Sequence, residues 1–168
     1  RRENYPTVLK ERFTQVSSAE SKTRNDSLSW KDLRVLREMW PRTLIVKGIL
    51  TPKDAALAIE HGADGVIVSN HGGRNFDGTL ATIDALPGVV AAVGSRLTVL
   101  LDSGLRRGSD IVKALALGAR GTLIGRPVAF ALAAAGEAGV EHVLAMLHDE
   151  VDRVQGLLGC PRLDRIDP

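Results

Sequence analysis

Two short stretches of this chain are built alike, and they constrain its fold more than any other feature. Gly62-Ala63-Asp64-Gly65 leads into the apolar run Val66–Val68, and Gly118-Ala119-Arg120-Gly121 leads into Thr122–Ile124. Each follows a segment of helical periodicity, so one helix–tight turn–strand joint occurs twice. Two further β-rich apolar runs, Leu44–Val46 and Thr98–Leu101, are equally short. None of the four alternates cleanly between apolar and polar residues, which is the pattern of strands buried on both faces. Helical segments separate them. One opens at Pro52 and closes at Gly62, a second covers about 81–93, and a third runs from Ser109 or Asp110 to Gly118. A fourth is expected over about 139–158, with Val140, Val143, Leu144, Leu147, Val151, Val154 and Leu158 on one stripe. Strand–helix alternation repeated four times specifies parallel strands with right-handed crossovers. That leaves a doubly wound sheet or part of a (β/α)8 barrel. A whole barrel takes about 250 residues, so four units in 168 residues amount to half of one.

The segment before this regular part is different. Thr14–Ser29 is almost wholly polar and reads as a loop. Residues 1–29 are therefore expected to hold a loop and the end of a preceding βα unit, and residues 30–168 the regular half barrel. Ser29 is placed to cap a helix, with Asp32 at its third position in a variant of the capping box. Trp30, Leu33, Leu36 and Trp40 recur at helical spacing until Pro41 ends the run.

Composition removes several classes of function. The chain has 22 Lys plus Arg against 20 Asp plus Glu, so it lacks the basic excess of a nucleic-acid binder. Aromatic residues are scarce, which argues against a base-stacking surface. A single cysteine, Cys160, excludes an internal disulfide framework and a cysteine-based zinc site, and fits a reducing compartment. No metal site is expected, because His61, His142 and His148 lie in or at the ends of helices without placed partners. No uninterrupted run of about 18 apolar residues occurs, so no membrane-spanning helix is expected.

Chemistry concentrates at one end of the strands. After Leu44–Val46 comes Lys47-Gly48. After Val66–Val68 comes Ser69-Asn70-His71-Gly72-Gly73-Arg74. After Thr98–Leu101 comes Asp102-Ser103-Gly104-Leu105-Arg106-Arg107-Gly108, and after Ile124 comes Gly125-Arg126-Pro127. Every one of these ends carries a charged or titratable residue, whereas the opposite ends carry glycine turns. Barrels place their sites at the strand ends of the first kind. Gly104, Gly108 and Gly125 let backbone N–H groups approach an anion, Arg106 and Arg126 add charge, and a helix N-terminus near Ser109–Asp110 adds its dipole. Lys47 has three readings: a Schiff-base nucleophile, a fixed positive charge facing an electron-rich cofactor, or a surface lysine. His71 is either a general base or a histidine packed in its loop. Arg74, three residues on, can clamp a carboxylate in two-pronged fashion. A base beside a carboxylate clamp suits chemistry at the carbon next to a carboxylate.

The runs Leu-Ile-Val-Lys-Gly (44–48), Val-Ser-Asn-His-Gly-Gly-Arg (68–74), Asp-Ser-Gly-Leu-Arg-Arg-Gly (102–108), Lys-Ala-Leu-Ala-Leu-Gly-Ala (113–119) and Ile-Gly-Arg-Pro (124–127) together resemble the FMN-dependent 2-hydroxy-acid oxidases and dehydrogenases. Ser103 and Trp40-Pro41 look most like the mandelate dehydrogenase branch. The resemblance implies the C-terminal half, strands 5–8, of a (β/α)8 TIM barrel with FMN as cofactor. It implies oxidation of an (S)-2-hydroxy acid, mandelate-, lactate- or glycolate-like, to the 2-keto acid. Lys47 would face the flavin's N1/O2 edge, and Ser69 would contact the flavin. His71 would be the base, and Arg74 would bind the substrate carboxylate, joined by Arg2. Asp102 would orient His71 or contact the ribityl chain. Gly104, Arg106, Gly125 and Arg126 would hold the FMN phosphate. The N-terminal half of the barrel would be a required partner, and a soluble, cytoplasmic homotetramer is expected. Two other classes compete: a phosphate-binding half-barrel isomerase, which leaves His71 and Arg74 unexplained, and a non-catalytic fragment that binds no cofactor.

Overall fold

A computed structural model describes residues 28–166. Near the start of this part, the Ser29 backbone N–H donates to the Asp32 carboxylate at 2.8 Å while its hydroxyl donates to the same oxygen at 2.8 Å. This caps α1 (Trp30–Met39), which stops at Trp40 before Pro41. There follow β1 (Ile45–Ile49), α2 (Pro52–Glu60), β2 (Gly65–Val68), α3 (Thr82–Val93), β3 (Thr98–Asp102), α4 (Gly108–Ala116), β4 (Gly121–Leu123) and α5 (Arg126–Leu158). The four strands form one parallel sheet in the order β1-β2-β3-β4. Sequence order and spatial order coincide, as in a barrel wall and unlike a doubly wound sheet, whose order reverses.

The repeated joint is real and has one physical basis. At the first copy, Gly62 takes φ +81, its N–H bonds to the Ile59 carbonyl, and the Ala63 N–H reaches back to Ala58 at 2.9 Å. At the second, Gly118 takes φ +100, its N–H bonds to Leu115, and the Ala119 N–H reaches back to Ala114 at 3.0 Å. Both are helix C-caps that need a left-handed residue, which glycine supplies without a Cβ penalty. The next N–H then opens the ladder with the preceding strand, Asp64 to the Leu44 carbonyl and Arg120 to the Val99 carbonyl, each at 2.8 Å. At the first joint Asp64 also accepts from Arg37 of α1 at 2.7 Å, tying that helix to the sheet. Arg37 reaches the carbonyls of Gly62, Trp40 and Arg42 as well.

The strands are not buried on both faces, contrary to the expectation from their pattern. Val66, Val68, Val99 and Leu101 are buried in one core with Ala55 and Ala58 of α2 and Leu86, Val89 and Val93 of α3. Ile67 and Leu100, which face the other way, are only half-buried, and Ile45 and Lys47 are exposed. Among the described residues, helices therefore cover a single face of the sheet. The apolar character of Ile45, Ile67 and Leu100 masked this, because a face closed by a barrel interior reads the same as one closed by helices.

The last helix also departs from expectation. Its helical run starts at Arg126, not near Gly139, and is broken at Ala135 (φ −149) and Gly136 (φ 59). The alanine-rich residues 127–134 lack polar punctuation, so no period marks them as helix. Of the expected stripe, Val143, Leu147 and Val151 are buried, while Leu144 and Leu158 are exposed. The buried three lie four residues apart, and the helix packs on α4, a narrower contact than a full amphipathic stripe. By length and composition alone this helix is apolar enough to cross a membrane, although it holds no uninterrupted run of about 18 apolar residues. Trp40, expected in the core, is half-exposed and donates its ring N–H to the Thr43 carbonyl, whereas Trp30 packs against the core and the His61 ring.

Where α4 begins, Gly108 is pressed against α5. A Cβ there would stand 2.5 Å from the Val151 nitrogen and 2.6 Å from the Glu150 carbonyl carbon. Neither is a flexible side-chain end, so relief requires moving a helix. Gly108→Ala should destabilise the intact, cofactor-loaded protein by about 1–3 kcal/mol. Urea unfolding checks this, and an unchanged midpoint would reject the close approach of α4 and α5.

Candidate active site

Strand register decides which side chains meet. Lys47 pairs with Ile67, and Ile67 with Leu100, so all three share the face that helices do not cover. Two residues beyond Ile67 and Leu100, Ser69 and Asp102 project from that same face. Lys47 thus reaches across β2 to β3. Its Nζ lies 2.8 Å from Asp102 Oδ2 and donates to Ser69 Oγ at 2.9 Å. The Asp102 side chain is 20% exposed and that of Lys47 36%, so the pair is partly shielded from water. Burial pushes the Asp102 carboxyl upward, but hydrogen bonds from Lys47 and Ser103, the Lys47 charge and a hydrogen bond from Ser69 outweigh it. The net result is a carboxyl held below its usual range.

The loop after β2 is wound tightly over this pair. The His71 N–H donates to Ser69 Oγ at 3.1 Å, and Gly72 N–H donates to Asn70 Oδ1 and to Ser103 Oγ, each at 3.0 Å. His71 itself takes φ 57, a left-handed conformation that is strained for a non-glycine residue and recurs at functional sites. Its ring is exposed at the mouth of the site and sits over Gly48, whose hypothetical Cβ would be 3.5 Å from the ring carbon Cε1. Gly48 is the irregular residue in the β1–β2 pairing, between Lys47 and Ile49. Arg74 follows on the same loop and is exposed.

Asp102 does not orient the His71 ring directly. Its carboxylate is taken by Lys47 and by the Ser103 hydroxyl at 2.5 Å, and no hydrogen bond joins it to that ring among the described residues. Arg2 lies outside the described residues, as does nearly all of the 1–29 segment.

The anion site at the last two strand ends is also redrawn. The N-terminus of α4 is already neutralised: Asp110 accepts from the N–H groups of Arg106 and Arg107, and Glu150 from that of Gly108 at 2.7 Å. The bond from Gly108, and next one from the Arg107 guanidinium at 2.8 Å, hold the Glu150 carboxyl low, so a negative charge sits at this helix end. A carboxylate at the third helical position is a capping signal that could have been read from Asp110. The N-terminus of α5 has no side-chain cap, and Gly125 and Arg126 open it. Nothing stands within 4 Å of where a Cβ would be on Gly104 or Gly125. Arg126 donates to the Gly72 carbonyl at 2.8 Å, bridging the anion site to the His71 loop. A cavity of about 350 Å³ lies between these parts, reached past Gly72, Gly73, Ser103, Gly104 and Arg126. Open glycine faces, uncapped helix N–H groups and arginines fit a phosphoryl group, and the exposed cationic Lys47 fits an electron-rich ring.

Residues 3–168 match the model of the family described as FMN-dependent dehydrogenase. The chain belongs to that family. It is 52% identical over 143 residues to an L-lactate oxidase of Nostoc sp., covering 85% of this chain and 39% of that protein. It is 54% identical over 140 residues to the glycolate oxidase of Spinacia oleracea, covering 83% of this chain and 38% of that protein. A solved (S)-mandelate dehydrogenase superimposes with a TM-score of 0.86 at 44% identity, covering 98% of this chain and 45% of the other. Another solved (S)-mandelate dehydrogenase, at 45% identity and a TM-score of 0.83, is described as a monotopic membrane protein; it covers 96% of this chain, which covers 40% of it. The chain thus spans about two-fifths of the length of the relatives it matches, and its sheet is the C-terminal half of an α/β barrel. FMN is the family's cofactor.

The Lys47–Asp102 pair makes a pH-dependent contribution to stability. The Asp102 carboxyl titrates lower folded than unfolded, so the contribution is fully present above about pH 4 and is lost as pH falls through the folded value. Asp102→Asn should cost about 1–2 kcal/mol at pH 7, allowing for the partial exposure of the pair. Urea titrations across pH should show the gap to wild type closing under acid conditions; a gap independent of pH would overturn the assignment.

Proposed function

We propose that this chain forms the C-terminal half of an FMN-dependent enzyme that oxidises an (S)-2-hydroxy acid to the 2-keto acid. The observation that carries the proposal is one cluster: Lys47 paired with Asp102, the His71 loop wound over them, and an open arginine–glycine site beside it. The oxidation takes two electrons and two hydrogens from the hydroxyl-bearing carbon and its oxygen. FMN, when bound, supplies the acceptor for the electrons and one hydrogen. His71 takes the remaining proton at its exposed ring nitrogen. Arg74, joined by Arg2, holds the substrate carboxylate, so that the hydroxyl-bearing carbon is presented to His71. Lys47 holds a fixed positive charge where negative charge develops during oxidation, and Asp102 and Ser69 keep its ammonium in place. Gly104, Arg106, Gly125 and Arg126 take the phosphate.

Mandelate, lactate and glycolate define the substrate class, and the family likeness to mandelate enzymes supports an aromatic side chain among those accepted. The same reading includes an N-terminal half of the barrel closing the uncovered face, and a soluble, cytoplasmic homotetramer; the lone cysteine fits its reducing compartment. A phosphate-binding isomerase would account for Gly125 and Arg126 but not for His71 and Arg74.

The test is spectroscopic. The intact protein should be purified yellow, and an anaerobic (S)-2-hydroxy acid should bleach it. His71→Ala should retain the flavin and lose turnover on the order of 10²–10⁴-fold. Near-normal turnover in a flavin-loaded His71→Ala protein would reject His71 as the base, and a colourless protein would reject the flavin reading.

A further inference from the structure

Ser103 lies at the centre of the site, yet neither the phosphate contacts nor the acid–base roles use it. It occupies φ +82, a conformation that suits glycine and burdens a serine. Three hydrogen bonds hold it there. Its hydroxyl donates to Asp102 Oδ1 at 2.5 Å and accepts from the Gly72 N–H at 3.0 Å. Its carbonyl accepts from the hydroxyl of Thr82, a buried residue at the start of α3, at 3.1 Å. One residue therefore joins the end of β3, the His71 loop and the N-terminus of α3. A hydroxyl suits this place because it donates and accepts at once, as a carboxylate on one side and an amide on the other require.

We infer that Ser103 is a positioning residue: its hydroxyl couples the Asp102 carboxylate, and through it Lys47, to the backbone of the loop that carries His71 and Arg74. Without it, Gly72 keeps only Asn70 as an acceptor, and Asp102 loses one of its donors. The charged group facing Asp102 is Lys47 of β1. The end of β2 offers the neutral Ser69 hydroxyl, and β4 places Leu123 beside it in register. Losing the Ser103 hydrogen bond therefore shifts the balance toward the protonated acid.

The inference rests on the flavin-oxidation reading for its catalytic consequence but not for its structural one, and two substitutions test both. Ser103→Gly removes the hydroxyl and relieves the backbone; Ser103→Ala removes the hydroxyl and keeps the strain. In the intact, FMN-loaded protein, both should speed hydrogen–deuterium exchange of segment 69–74 on the order of 2–10-fold. Both should also lower kcat/KM on the order of tenfold with the flavin content unchanged, because the loop that carries His71 and Arg74 is no longer held to Asp102. If backbone strain were all that mattered, Ser103→Gly would match wild type. Either readout unmoved in Ser103→Gly overturns the inference. If the wild-type protein turns over no 2-hydroxy acid, the functional reading fails, and the exchange measurement alone decides the role of Ser103.

Discussion

The ion pair between Lys47 and Asp102 spans a strand, and the rest of the site is arranged around that span. Neighbouring strands lie about 4.8 Å apart, so first and third strands are separated by about 10 Å. Only a long side chain bridges that gap, and it does so only if both partners point from the same face. The register Lys47–Ile67–Leu100 secures this, since a one-residue slip of any strand would turn its partner toward the helices. Ser69 stands on the intervening strand, accepts from Lys47, and accepts again from the His71 N–H. The pair thereby fixes the start of the loop that bends over it.

Charge at the anion site is set by contrast between two helix ends. Both α4 and α5 begin near the same edge, and both would attract an anion if left alone. Asp110 and Glu150 satisfy the N–H groups at the start of α4, and Glu150 also pairs with Arg107 at 2.8 Å. That end serves packing: it seats Gly108 against α5. The end at Gly125–Arg126 has no such side-chain cap, which leaves it the better fit for an anion. Arg126 meanwhile holds the Gly72 carbonyl, so the anion site and the His71 loop share a side chain.

Most of this arrangement was legible in the chain, because it depends on short-range rules. The joints at Gly62 and Gly118, the cap at Ser29, Pro52 at the start of α2 and the clustering of Lys47, Ser69, His71 and Asp102 at strand ends all follow from local patterns. What escaped depends on partners far away in sequence. Glu150 lies 42 residues from Gly108, and only the packing of α5 on α4 brings its carboxylate to that helix end. Asp102 chooses Lys47 over His71 because register, not spacing along the chain, sets its neighbours. The first turns of α5 were missed because an alanine-rich run without polar interruption gives no period to read. Ser103 stood out only as a mark of the mandelate dehydrogenase branch; its three hydrogen bonds require knowing that β3, α3 and the His71 loop converge.

The uncovered face of the sheet links folding to function. Ile45, Ile67 and Leu100 lie on it beside Lys47 and Asp102, so it is apolar toward one end of the strands and charged toward the other. Water against the apolar part is unfavourable, and whatever covers it also raises the strength of the ion pair by lowering the local dielectric. The same covering would lie over Lys47 and beside the loop that carries His71 and Arg74. Closing the barrel, as proposed, would do two things with one surface: it would remove the exposed apolar strands, and it would turn a half-exposed ion pair into a preorganised one. The site's chemistry and the completion of its fold are then the same event.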